Sequence, residues 1–249
     1  MWEIEIEFTI GQGPQLCSLI PPWLLPSYDQ GMREGRGRLW ARVGVAAQVV
    51  FVLAWIVAGF WQGPGYNALK YSISDMYAVT APRGLFLVVV ITLCGIGTVL
   101  FAVLSVWPTL RPSGWRAAVG SILLGVSIYG LGDALTPFER ETCRLADPGC
   151  TGADQLSNAG GVLDAVLSLV GLVCFVFAGF FLAAAMNRVP GWQSMVWPAR
   201  WVAITFFALL VISIAAEAVG GLLQRVLAAF GAAAIAALAL RILAPSGRG

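Results

Sequence analysis

The 249-residue sequence contains no histidine. This absence excludes haem held by histidine, the usual zinc hydrolase sites that contain histidine, and nucleophiles that a histidine activates. The net charge is only +2 and no long basic run occurs, so nucleic acid is not an expected partner. Carboxylates and the side chains of Ser, Tyr, Lys, Arg and Cys remain for chemistry, and we expect neither a metal ion nor a cofactor.

Charge of either sign is scarce, since 11% of residues are charged, 59% are apolar and the mean hydropathy is +0.82. These values are typical of a membrane protein. Several apolar runs reach the roughly 18 residues that a helix needs to cross a bilayer, and a helix satisfies its own backbone hydrogen bonds in lipid. The sequence therefore predicts an all-α, polytopic membrane protein, a bundle of six transmembrane helices in contact with membrane lipids.

The six predicted helices cover residues 43–61, 84–107, 117–136, 160–186, 201–220 and 222–242. Only a Gly-Gly turn is available between the last two, so we expect them to be antiparallel neighbours. Residues 42–243 form the predicted transmembrane domain.

The predicted tails lie on either side of that domain, at residues 1–41 and 244–249. Residues 1–41 begin acidic and become proline-rich, and we expect a poorly ordered N-terminal tail. Met32 opens a pattern typical of a cytoplasmic start. Residues 1–31 are therefore expected to be either outside the natural protein or part of the tail.

Basic residues favour one orientation of the bundle. Ten of the fifteen Lys and Arg residues fall on the side that carries both termini: Arg33, Arg36, Arg38, Arg42, Arg111, Arg116, Arg188, Arg200, Arg241 and Arg248. The other five are Lys70, Arg83, Arg140, Arg144 and Arg225. The positive-inside rule then predicts a plasma-membrane protein with both termini in the cytoplasm and with residues 66–84 and 137–157 outside.

A polar, aromatic segment at residues 66–84 separates the first two apolar runs and has Asp75 near its centre. A carboxylate at the membrane surface costs free energy unless another group holds it. Ser72 and Asp75 fit the S-x-x-D capping pattern, with Ser74 between them, so a helix cap is one explanation of Asp75. The polar and aromatic character of the whole segment favours a functional site as the other explanation.

Four carboxylates are predicted to share one depth near the outer leaflet. At about 1.5 Å per helical residue, three of them fall near the outer end of a predicted helix, and Asp75 lies in the segment at residues 66–84. The four are Asp75, Asp133, Asp164 and Glu217, and the basic residues at that depth are Lys70, Arg83 and Arg225. Three interpretations stay open: an ion-pair cluster that fixes the helix ends, a pocket for a lipid headgroup or small ligand, and passage of protons or ions. Passage is the least favoured, since no charged residue lies near the bilayer midplane.

Two cysteines, Cys143 and Cys150, lie in the segment predicted to be outside the cell. An oxidising compartment favours a structural disulfide between them. A redox pair is the alternative, but the C-x-x-C spacing of such pairs is absent.

The I-S-D of residues 73–75, followed by A-P at residues 81–82 and by Phe86, resembles a family of bacterial six-helix membrane proteins known as domain of unknown function 998. A distant similarity links this pattern to the eukaryotic membrane families of GPI-anchor remodelling and autophagy-modulator proteins. The resemblance covers about residues 42–243. It implies the six-helix fold and carries no settled activity.

The third loop adds to the resemblance, through its two cysteines and the Q-L-S at residues 155–157. Members of the family often have a histidine soon after this Leu-Ser. In the present chain Asn158 follows the Leu-Ser, so any role of that histidine is either absent here or falls to Asn158 or Asp164.

We therefore expect a multi-pass plasma-membrane protein with an acidic pocket in the outer leaflet that binds a lipid headgroup or a small ligand. A role without catalysis is favoured over an enzyme. The candidate pocket residues are Asp75, Asp133, Asp164, Glu217, Lys70, Arg83, Arg225, Ser74 and Asn158. One alternative is an enzyme that modifies an envelope lipid, with Asp75 or Asp133 as general base and Lys70 or Arg83 on a phosphate. The second alternative is a transporter of small solutes or ions.

Overall fold

The structure, a computed structural model, describes the backbone of residues 26–244 and the side chains of residues 35–244 except those of Ile214 and Glu217. Residues 1–25 and 245–249, which belong to the predicted tails, lie outside the described residues. The chain divides into two units after Gly35, and Arg36 begins the unit that contains the helical bundle.

Six helices of 12 residues or more form within residues 26–244, and no strand forms there. They are α1 (Pro26–Gly59), α2 (Gly84–Phe101), α3 (Trp115–Val126), α4 (Ala159–Met186), α5 (Val196–Ala215) and α6 (Gly220–Leu243). Helix α2 continues through a π-helical turn, Ala102–Val106, and a last turn, Trp107–Leu110. The predicted all-α class is confirmed.

Five segments of the described chain are long and apolar enough to cross a membrane, one fewer than predicted. They are Gly35–Gly59, Gly84–Ser113, Ala159–Met186, Gln193–Ser213 and Gly220–Leu243. Large apolar side chains on their outer faces are exposed, for example Leu93 at 64% and Leu169 at 58%. Such faces fit a protein surrounded by lipid, which solvates apolar side chains as water does not.

Helix α3 is shorter than predicted because it ends at Val126. Ser127 adopts an extended backbone with ψ of 172°, and its hydroxyl donates to the carbonyl of Leu124 at 2.7 Å. The chain resumes as a π-helical turn, Ile128–Gly132. Serine competes for backbone carbonyls and the nearby glycines weaken the helix, so this sequence favours a break. The predicted straight helix over residues 117–136 is therefore wrong, and Asp133 lies beyond the break.

Close packing fixes the segment beyond the break between two helices. A Cβ atom on Gly95 of α2 would lie 2.3 Å from the backbone nitrogen of Ala134. One on Gly171 of α4 would lie 2.6 Å from the backbone nitrogen of Ile128. Glycine at both positions thus lets α2 and α4 approach the backbone that carries Asp133.

The turn between α5 and α6 also differs from the prediction. Helix α5 ends at Ala215 and a 3₁₀ turn follows at Glu217–Val219. The two glycines lie inside α6, and a Cβ on Gly221 would lie 2.3 Å from the carbonyl oxygen of Tyr71. The second glycine therefore serves the close approach of α6 to residues 66–84.

Helices α1 and α5 end, and α2, α4 and α6 begin, at one end of the bundle, together with residues 66–84 and 137–157. We call this the loop end. Helix α3 packs on α4, α4 on α5, and α5 on α6. The candidate site residues lie at or near the loop end.

Candidate functional site

The two segments of interest, residues 66–84 and 137–157, are joined by hydrogen bonds at the loop end. The backbone N–H of Val79 donates to the carbonyl of Glu141 at 2.9 Å. The guanidinium of Arg140 donates to the carbonyls of Tyr77 and Ala78, at 2.9 Å each. These contacts hold the two segments together as one layer.

Asp75 is fully buried within this layer. Its Oδ1 accepts from the backbone N–H of Leu145 at 2.5 Å and from Nε2 of Gln155 at 3.4 Å. Its Oδ2 has no hydrogen-bond partner among the described residues. Burial raises the pKa of Asp75, although the Leu145 N–H and the Arg144 guanidinium act in the opposite direction.

The predicted cap at Asp75 is present in part. The residue belongs to a 3₁₀ turn, Ser74–Tyr77, and its backbone N–H donates to Oγ of Ser72 at 3.1 Å. Its carboxylate reaches across to Leu145 instead of returning to the start of the turn. Asp75 therefore belongs to the turn and also makes a tertiary contact with Leu145.

Glu141 and Gln155 form the second part of the layer. Glu141 accepts from Oγ of Ser74 at 3.2 Å and from Nε2 of Gln155 at 2.7 Å. The Gln155 amide thus bridges the carboxylates of Asp75 and Glu141. Burial, followed by the charge of Asp164, raises the pKa of Glu141 to about 8.

A third buried carboxylate, Glu139, is 2% exposed, and its Oε1 has no hydrogen-bond partner among the described residues. Burial and the charge of Asp164 raise its pKa to about 8. Tyr77 donates to Oδ1 of Asp164 at 3.1 Å. Burial, and then the charges of the surrounding carboxylates, raise the pKa of this tyrosine well above its ordinary value. These carboxylates, named in order of effect, are Asp164, Glu139, Glu141 and Asp133.

A cavity of about 110 Å³ lies beneath the layer, and we call it the polar cavity. Its polar lining residues are Ser74, Tyr77, Tyr129, Asp133, Ser168 and Gln224. Oε1 of Gln224 accepts from the backbone N–H of Ile73 at 2.7 Å, which ties α6 to residues 66–84. Asp133 is the acidic residue that lines this cavity.

Arg225 binds residues 66–76 and not a carboxylate. One terminal nitrogen of its guanidinium donates to the carbonyls of Ala68, Tyr71 and Gly221, at 2.7, 2.8 and 2.8 Å. The other donates to the hydroxyl of Tyr66. Arg225 therefore anchors α6 to the backbone of residues 66–84.

The other two predicted cationic partners are exposed. The ammonium of Lys70 lies 5.3 Å from the ring centre of Tyr71, and the guanidinium of Arg83 lies 5.7 Å from that of Trp61. Among the described side chains, one ion pair forms, between Arg144 and Asp147. The described carboxylates of the predicted cluster therefore have no salt-bridge partner.

Two further candidates have other surroundings. Asn158 caps α4, since its Oδ1 accepts from the backbone N–H of Gly161 at 2.7 Å and its Nδ2 donates to the carbonyl of Arg140 at 3.1 Å. Glu217 lies in the turn after α5 and not on that helix as predicted. Its side chain lies outside the described residues.

The layer thus contains residues that the sequence argument left out of the pocket, namely Tyr77, Glu139, Glu141 and Gln155. The signal for Gln155 was present in the Q-L-S pattern, and the signal for both glutamates was an acidic loop next to two cysteines. Those cysteines, Cys143 and Cys150, are in disulfide contact, with their Cα atoms 6.2 Å apart, in agreement with the predicted bridge. Among the described residues, no three His, Cys, Asp or Glu side chains come together in a way that could hold a metal ion.

Comparison with protein families matches residues 45–241 to the family described as "Protein of unknown function (DUF998)". The chain belongs to this family. The match covers more than half of the sequence and includes α2 to α6 almost entirely, together with both segments of the layer. No curated protein and no solved structure matches this member of the family.

The geometry allows two kinds of chemistry at the loop end of this family member. The buried layer can hold protons near neutral pH, because the pKa of Glu139 and that of Glu141 are each raised to about 8. The polar cavity can accept a cationic group, because Asp133 lines it beside hydroxyl groups and an amide.

Proposed function

We propose that this family member is a multi-pass protein of the plasma membrane that binds a cationic, amine-bearing group in the polar cavity. The observation that carries the proposal is Asp133, which lines the cavity with Ser74, Tyr77 and Gln224, while no Lys or Arg of the described chain lines it. A carboxylate between helices requires a proton or a cation. An ammonium group supplies both the charge and hydrogen-bond donors for the surrounding oxygen atoms.

The electrostatic surroundings favour this sign of ligand. Asp133 is acidic and no Lys or Arg side chain of the described residues lines the cavity, so an anionic group brought there would find no cationic partner. The amine could belong to the headgroup of a zwitterionic lipid or to a free small molecule, since both present the same chemistry. A purely anionic headgroup fits least.

The proposed orientation has the loop end outside the cell and both termini in the cytoplasm. It is supported by the ten basic residues on the terminal side. It is also supported by the contact of Cys143 and Cys150, because disulfides persist in oxidising compartments. The polar cavity would then face the outer leaflet.

The test uses the full chain in nanodiscs made with phosphatidylglycerol, exposed either to vesicles that contain phosphatidylethanolamine or to ethanolamine. Bound ligand is measured by native mass spectrometry. We expect the natural protein to retain the amine-bearing ligand. Asp133→Asn should bind it at least tenfold more weakly, because the variant loses a charged hydrogen bond that contributes roughly 1.4 kcal/mol or more. Asp154→Asn is the matched control, since Asp154 is exposed and does not line the polar cavity.

The two ligand sources are separated by the two arms of this experiment. If only the lipid is retained, the ligand is a lipid headgroup. If only ethanolamine is retained, the ligand is a free amine. Equal retention by the natural protein and by Asp133→Asn, in both arms, contradicts the proposal.

A lipid-modifying enzyme is the second candidate, and the position of Asp133 favours it. This residue lines a cavity together with the hydroxyl groups of Ser74 and Tyr77, so it could act as a general base there. Asp75 is a weaker candidate for that role, because it is fully buried. Loss of one envelope lipid in a deletion strain, restored by the natural protein but not by Asp133→Asn, would support the enzyme.

Transport is less favoured, because an aromatic group lies below the polar cavity. The rings of Tyr129 and Phe175 are 4.9 Å apart, and those of Phe175 and Phe206 are 4.6 Å apart. A polar solute would have to displace these rings to continue along the bundle.

A further inference from the structure

A second cavity of about 110 Å³ lies between α4, α5 and α6, nearer the end of the bundle opposite the loop end. We call it the apolar cavity, because all of its lining side chains are apolar. Small residues such as Ala178, Gly179, Ala199 and Ala234 form much of its wall. These side chains are too short to fill the space themselves.

The apolar cavity continues the polar cavity along one face of α4. Ser168 and Leu172 line the polar cavity, whereas Phe175, Ala178 and Leu182 line the apolar cavity. Their spacing of three or four residues keeps all five on the same side of the helix. Helix α4 therefore forms a common wall of both cavities.

Helix α6 forms a second common wall. Gln224 and Leu227 line the polar cavity, and Ile235 and Leu238 line the apolar cavity. At about 1.5 Å per residue, the distance along the helix from the first of these residues to the last is ~21 Å. A molecule that occupied both cavities would therefore be elongated.

One ring pair lies between the two cavities. Tyr129 lines the polar cavity and Phe175 lines the apolar cavity, with their ring centres 4.9 Å apart. The tyrosine hydroxyl donates to the carbonyl of Leu227 at 3.0 Å, beside Gly231 of α6. The two cavities are thus separated by side chains, and a hydrocarbon chain that occupied both would displace these rings.

We propose that the apolar cavity holds the hydrocarbon chain of an amphiphile whose amine occupies the polar cavity. This inference rests on the proposed function and names its ligand as an alkyl-chain amine. An apolar cavity stays free of water and accepts apolar ligands, and the bilayer around this bundle supplies hydrocarbon chains. The exposed residues Pro198 and Ala237 belong to its lining, so the cavity opens toward the bilayer.

The test measures binding of n-alkylamines from butylamine to decylamine to the full chain in nanodiscs by calorimetry. Ala234→Leu extends a side chain into the apolar cavity, and Ala233→Leu makes the same change on the exposed face of α6. The amines also partition into the bilayer, and they do so equally for all variants. The result is therefore read from the ratio of affinities between variants. We expect Ala234→Leu to bind decylamine roughly tenfold more weakly, because the added carbon atoms of Leu occupy space that the alkyl chain would fill. The affinity for butylamine should be unchanged.

Ala233→Leu should bind both amines as the natural protein does. Ala199→Leu repeats the test from α5, in case Ala234→Leu does not fold, and thermal unfolding of each variant reports folding. An unchanged affinity for decylamine in the folded Ala234→Leu or Ala199→Leu variant overturns the inference.

Asp133→Asn separates this outcome from failure of the proposed function. If the amine binds at Asp133, this variant weakens butylamine and decylamine alike. Butylamine binding that is unchanged in Asp133→Asn contradicts the proposed function. If Asp133→Asn loses binding while Ala234→Leu and Ala199→Leu have no effect, the proposed function stands and the proposal that the apolar cavity holds the hydrocarbon chain is contradicted.

Discussion

Asp75 and Leu145 lie 70 positions apart in the sequence, yet the backbone N–H of Leu145 donates to Oδ1 of Asp75 at 2.5 Å. Leu145 belongs to the small ring that Cys143 and Cys150 close. The fully buried carboxylate therefore connects this ring to the 3₁₀ turn of residues 66–84. The connection gives a structural reason for an acidic side chain in an otherwise costly place.

Replacement of Asp75 by Asn and by Ala should give different results. Asn keeps an oxygen acceptor for the Leu145 N–H and carries no charge, so we expect a change in the free energy of unfolding below ~1 kcal/mol. Ala removes the acceptor for Leu145 and Gln155, and a loss of about 1–3 kcal/mol is expected. Thermal or denaturant unfolding in detergent measures both. Equal destabilisation by the two variants would show that the hydrogen bond is not the source of the effect.

Stability should fall as the pH rises from about 5 to about 9. Burial raises the pKa of Glu139 and of Glu141 from 4.5 to about 8, so the folded state holds their protons where the unfolded state has lost them. The stabilisation is complete below the unfolded pKa and is lost as the pH rises through the folded pKa. Each unit of raised pKa corresponds to about 1.4 kcal/mol at most. The melting temperature measured across this range tests the sign.

Glu141→Gln should flatten that pH dependence, because the amide cannot ionise. Asp154→Asn is the control, since hydrogen bonds from Thr151 lower the pKa of Asp154 and it titrates below this range. A melting temperature that stays constant or rises from pH 5 to pH 9 in the natural protein would contradict the expectation.

Arg225→Lys should destabilise the bundle although the charge is kept. The guanidinium donates to three carbonyls and to the Tyr66 hydroxyl in one fixed geometry. A lysine ammonium has fewer donors and a different shape, so a loss of about 2–4 kcal/mol is expected. Arg83→Lys, at an exposed arginine over Trp61, should change stability by less than ~1 kcal/mol. Similar melting temperatures for the two variants would refute the anchoring role of Arg225.

Much of the fold was predictable because its causes are local. Long apolar runs specify helices in lipid, and the predicted start of α2 at residue 84 and end of α4 at residue 186 agree with the structure. The break at Ser127 was missed, because the apolar pattern continues through it and only local serine and glycine chemistry opposes the helix. The turn after α5 was misplaced for a related reason, since Gly221 lies inside α6 and packs against Tyr71.

The candidate site was less predictable, because it depends on contacts between distant parts of the chain. The sequence alone determined that this is an all-α protein with membrane-spanning helices, that residues 66–84 and 137–157 fall at one end of it, and that no histidine takes part. The tertiary structure decided that Gln155 bridges Asp75 and Glu141, and that Arg225 binds backbone carbonyls instead of carboxylates. The reason is physical: hydropathy and helix pattern act over a few residues, whereas a hydrogen bond between positions 70 or more apart forms only when the helices pack.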